Sequence, residues 1–75
     1  MPKLPVVSGA QVIRALQRLG FLVIRQRGSH IILRRDDVGC TVQNHRELKI
    51  GTLTGVLKQA GVTSEEVIAA LHHAI

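Results

Sequence analysis

Three short apolar runs, Phe21-Leu22-Val23-Ile24, Ile31-Ile32-Leu33 and Cys40-Thr41-Val42, are joined by links too short for a crossover. A parallel strand pair needs a connection of roughly a dozen residues or more, whereas a tight turn suffices for an antiparallel one. The sequence therefore predicts an antiparallel meander with strands over 21–27, 30–35 and 40–44. Gly28-Ser29 forms the first turn or starts the second strand. Asp36-Asp37-Val38-Gly39 supplies polar turn chemistry for the second link.

Helical signals flank the meander. Ser8 with Gln11 has the spacing of a capping box. Val12, Ile13, Leu16 and Leu19 then recur on one helical face, and Gly20 stops the helix. Before it, residues 1–7 read as an extended lead-in, because Pro2 and Pro5 resist helix. After the meander, His45 to Lys49 form a polar connection. Leu53, Val56, Leu57 and Ala60 mark a second helix over 52–60, ended by Gly61. Thr63 with Glu66 makes another capping box, followed by Val67, Ile68 and Leu71 on the apolar side of a last helix. The expected fold is α+β, ordered α-β-β-β-α with a three-stranded antiparallel sheet and an extra C-terminal helix. One sheet face packs on helices and the other meets water. That is the topology of double-stranded-RNA-binding domains, and topology alone does not give function.

All 75 residues are expected to form a single domain. A chain this short buries only roughly 60% of its unfolded surface. It leaves no room for a cleft between two domains, so an enzyme of this size has a shallow site and a large substrate. No apolar run approaches the roughly 20 residues that span a bilayer. The N-terminus lacks the apolar stretch of a secretory signal. Cys40 is the single cysteine, which excludes an intrachain disulfide and fits a cytoplasmic location. It reads as a small buried hydrophobe.

The formal net charge is +5. Nine of the ten basic residues fall between Arg14 and Lys58, against three of the five acids. Such a balance points to a polyanion partner. Phe21 is the one aromatic and reads as core, so stacking platforms for bases are not expected. Contact through phosphate and sugar is, and it depends strongly on salt.

His30, set between strand-like runs after Gly28-Ser29, is the leading chemical candidate, since imidazole transfers protons near neutral pH. RNA brings its own nucleophile, the 2′-hydroxyl, so one well-placed histidine and a cation suffice for a shallow site. Arg25 and Arg27 share a side of the first strand near His30 and are candidates for phosphate contact. Arg14 and Arg18, four apart on the first helix, form a like-charged pair that a groove phosphate would offset. Lys49 can hold a phosphate before the second helix. Ser29 reads first as structural, through a backbone hydrogen bond where the second strand begins, ahead of a catalytic role, and is also a candidate RNA contact. His45 is a loop histidine or an auxiliary acid–base group. His72 and His73 read as surface. No His or Cys spacing matches a zinc site, so neither metal nor cofactor is expected.

Leu19-Gly20-Phe21, Arg25-Gln26-Arg27-Gly28-Ser29-His30, and the run from Thr41-Val42 through Asn44-His45 and Glu47-Leu48-Lys49-Ile50-Gly51-Thr52-Leu53 to Leu57-Lys58-Gln59-Ala60-Gly61 together resemble the HicA family of small toxins. The resemblance covers roughly residues 8 to 68. It implies a metal-independent endoribonuclease that cleaves mRNA, with His30 as the active histidine. It also implies a HicB-like antitoxin that covers that histidine in a heteromeric assembly. Three positions depart from the common pattern. Ile31 follows the histidine where many relatives have histidine or an aromatic residue. Gln43 follows the third-strand valine where many have proline, and Thr54 stands where many have arginine. The alternative reading is a non-catalytic RNA-binding module of the same fold, with His30 structural. A DNA-binding subunit has no helix-turn-helix spacing to support it.

Overall fold

The computed structural model describes residues 6–72. Element α1 spans Gly9–Arg18, β1 Leu22–Arg27, β2 His30–Arg35, β3 Val38–Gln43, α2 Ile50–Ala60 and α3 Ser64–His72. The fold is thus α+β, with three antiparallel strands in the order β1-β2-β3 between helices and a further C-terminal helix.

Both capping boxes form. The Gln11 amide N–H donates to Ser8 Oγ at 3.1 Å, and the Ser8 N–H donates to Gln11 Oε1 at 2.9 Å. The Glu66 N–H donates to Thr63 Oγ1 at 3.1 Å, and the Thr63 N–H to Glu66 Oε1 at 2.9 Å. Each pair satisfies two amide groups that a helix start would otherwise leave open. Phe21, Leu16, Leu33, Leu53, Val12, Val42 and Val67 are the largest fully buried side chains. They join α1 and α2 to one face of the sheet and α3 to α1.

Alternation along the strands sorts that core from the opposite face. Ile31 and Leu33 of β2 and Cys40 and Val42 of β3 are buried toward the helices. The intervening residues face away. β3 lies under α2, and Gln59 reaches it by accepting the Thr41 N–H at 3.3 Å. β1 sits at the other edge, beyond the cover of the helices. Val23 and Ile24 are therefore exposed despite their apolar character, and Leu22, paired with Arg34, faces away from the helices altogether. The chain bulges between Val23 and Arg25, which breaks the regularity of that edge.

Several boundaries differ from the sequence expectation. β3 starts at Val38 and ends at Gln43, because Asp36-Asp37 alone makes the turn. Asp36 adopts φ 54°, a left-handed conformation that its short polar side chain tolerates. Helix α2 starts at Ile50, two residues early. The polar connection before it is pinned by Leu48, which is buried and pairs with Val7. That pairing bears out an extended backbone at Val7. Pro2, Pro5 and His73 lie outside the described residues.

Candidate functional site

Strand pairing places His30 between Arg27 on β1 and Gln43 on β3. Residues directly opposite in an antiparallel pair share a face, with Cβ atoms about 5 Å apart. Arg27, His30 and Gln43 thus form one row across all three strands on the face turned away from the helices. The next row is Arg25, Ile32 and Thr41, and the one beyond it Leu22, Arg34 and Gly39. None of these positions is acidic. Three arginines and one histidine therefore share a shallow, solvent-facing surface with a half-buried isoleucine at its centre.

Backbone contacts hold the His30 end of this surface. Gly28, at φ +57°, turns β1 into β2, and a side chain there would be strained. The Asn44 N–H donates to the Ser29 carbonyl at 2.7 Å, tying that turn to the end of β3. The His45 N–H donates to the Gln43 carbonyl at 2.9 Å, and the Gly9 N–H to the His45 carbonyl at 2.8 Å. The start of α1 thereby presses on residues 43–45. A Cβ on Gly9 would overlap the Gln43 carbonyl oxygen and lie 2.8 Å from Asn44 Cα, so only glycine fits there.

Beside this clamp is a cavity of about 270 Å³ lined by Gln43, His45, Glu47, Leu48, Lys49 and Thr52. His45 and Lys49 therefore sit at the same end of the molecule as His30, though off its row. Ser29 contributes its carbonyl to the clamp. Arg14 and Arg18 are not brought to this end. They line a separate groove of about 370 Å³ between α1 and α3, with Val6, Val7, Gln11, Leu71 and His72. The structure adds Ile32, Arg34, Thr41 and Gln43 to the face. Stepping by two from His30 would have found the first two. Arg34 is oriented by donating its Nε–H to the Asp36 carbonyl at 2.8 Å. Arg35 points the other way, donating to the Leu19 carbonyl at 2.7 Å and lying 4.7 Å from the Phe21 ring centroid.

Burial pushes the Cys40 thiol above its ordinary range, which keeps it protonated and unreactive. No group of three His, Cys, Asp or Glu side chains converges on a possible metal position among the described residues. Nor is any helix among them long and apolar enough to cross a membrane.

Fold and surface together define a small basic α+β protein with the chain order of double-stranded-RNA-binding domains and an open cationic sheet face. The family model of the HicA toxin of bacterial toxin–antitoxin systems matches residues 9–62. The chain belongs to the HicA toxin family, and membership implies an antitoxin partner. The matched span runs from α1 through α2, and helix α3 lies beyond it. No curated protein matches the chain.

Proposed function

We propose that this protein is a metal-independent endoribonuclease toxin that cleaves mRNA on the open sheet face. The observation that carries the reading is the row of Arg27, His30 and Gln43, with Arg25 and Arg34 in the adjoining rows. His30 acts as general base, taking the proton of a 2′-hydroxyl as that oxygen attacks the adjacent phosphorus. The bond from phosphorus to the 5′ oxygen breaks, that oxygen takes a proton from water, and His30 returns the proton it took to solvent. The products are a 2′,3′-cyclic phosphate and a 5′-hydroxyl. Arg27 and Arg25 hold the phosphate and offset the charge that builds on it. His30 contributes about 10²–10⁴-fold to the rate.

Lys49 and the Ser29 turn contact the flanking strand, and His45 is an auxiliary acid–base group. Arg14 and Arg18, in their separate groove, add phosphate affinity at a distance and take no part in bond breaking. The partner is a HicB-like antitoxin that covers His30 and neutralises the arginines around it. The mechanism needs the 2′-hydroxyl. A strand with one 2′-deoxy nucleotide at the cleavage position is expected to stay intact there while cleavage continues elsewhere. Cleavage at the deoxy position would exclude the 2′-hydroxyl as nucleophile.

A further inference from the structure

We propose that the cavity beside His30 is a nucleotide subsite, and that Gln43 reads the base of the nucleotide next to the scissile phosphate. This rests on the ribonuclease reading of the open face and extends it to substrate choice. Gln43 is the one residue that belongs both to the His30 row and to the cavity wall. Neighbouring strands lie about 4.8 Å apart, so Gln43 is one strand spacing from His30. An RNA strand with its phosphate at Arg27 and His30 meets Gln43 as it leaves β2.

The chemistry of the cavity suits a nucleotide. Lys49 brings a cation for a phosphate, and Thr52 a hydroxyl that donates and accepts. Gln43 brings a carboxamide, which offers a donor and an acceptor side by side and matches a base edge. Its side chain makes no hydrogen bond among the described residues. The residue is half-buried, yet no buried side-chain nitrogen or oxygen lacks a partner there. The amide of Gln43 is therefore not sealed from the surface and is reachable by a ligand. Its backbone is fixed by the same contacts that place His30, through the Asn44 and His45 amides. A base contact at Gln43 is thus held in register with the phosphate contact.

The test is direct binding, independent of cleavage. The four ribonucleoside 3′-monophosphates and ribose 5-phosphate are titrated into the whole protein and followed by NMR. The expected shifts fall on the Gln43 side-chain amide and on the backbone amides of His45, Lys49 and Thr52. One nucleotide is expected to bind roughly tenfold more tightly than the weakest, as a paired amide allows. Gln43→Met keeps the volume and removes the polar atoms. It is expected to bring the four nucleotides within about twofold of one another, with ribose 5-phosphate unchanged. Lys49→Met is expected to weaken all five probes alike. Equal binding of the four bases to the unmodified protein would overturn the proposal. So would discrimination that survives Gln43→Met, shifts confined to the groove between α1 and α3, or no binding at tens of millimolar. A protein that binds nucleotides in this way yet cleaves no RNA would keep the subsite and refute the nuclease.

Discussion

His30 can be removed without disturbing the packing that surrounds it, because its side chain is exposed and no hydrogen bond to another described side chain depends on it. His30→Ala is expected to change stability by no more than about 0.5 kcal/mol, measured by urea unfolding. The same change is expected to abolish cleavage. Gly9 behaves in the opposite way. Gly9→Ala drives a methyl group into the Gln43 carbonyl, so α1 and residues 43–45 must separate. The expected cost is about 1–3 kcal/mol, and cleavage falls with it although Gly9 touches no substrate. Cys40 offers a third check. Its raised pKa means that the folded chain favours the neutral thiol. Below the ordinary thiol pKa of roughly 8.5 this has no effect on stability. Above it the unfolded chain ionises more readily, so the fold loses stability as pH rises. Iodoacetamide at neutral pH is expected to leave Cys40 unmodified in the folded protein and to label it in urea.

At the scale of elements, the rows on the sheet separate two kinds of arginine. Replacing Arg25 and Arg27 by alanine is expected to lower the slope of log affinity against log salt by about 1.4, at about 0.7 per phosphate contact on a single strand. It also slows cleavage of bound RNA. Replacing Arg14 and Arg18 is expected to weaken binding while bound RNA is cut at the original rate, which single-turnover kinetics would show. Element order, both capping boxes and the buried faces of α1 and α2 were legible in the sequence, because period and capping chemistry are local. The membership of the candidate face was legible only in part. Arg25 and Arg27 could be placed on one side of the first strand and near His30 along the chain, but the position of Gln43 opposite His30 depends on the register of β3. Register is fixed by the tight Asp36-Asp37 turn, which the sequence reading drew two residues too long. The run Leu22-Val23-Ile24 reads only as the apolar start of a strand, and it is exposed because Leu22 lies on the open face and β1 is an edge strand. Sequence composition marks apolar residues without saying which strand ends up at the edge.

For the molecule as a whole, the charge and the fold act together. A net charge of +5 on 75 residues favours a polyanion partner, and on the proposed reading the sheet face without acids is where the RNA strand lies. Helices α1 and α2 hold the sheet from behind, α3 packs on α1, and the opposite face is left free. An antitoxin seated there would compete with RNA for the same arginines, so inhibition and substrate binding are expected to exclude each other. The central claim is that this face cuts RNA with a histidine and without a metal. Incubation of the purified protein with a long mRNA in excess EDTA, beside the His30→Ala variant, tests it most directly. The expected result is fragmentation by the unmodified protein and intact mRNA with the variant. Equal fragmentation by both, or RNA that is bound but left intact by both, would contradict it.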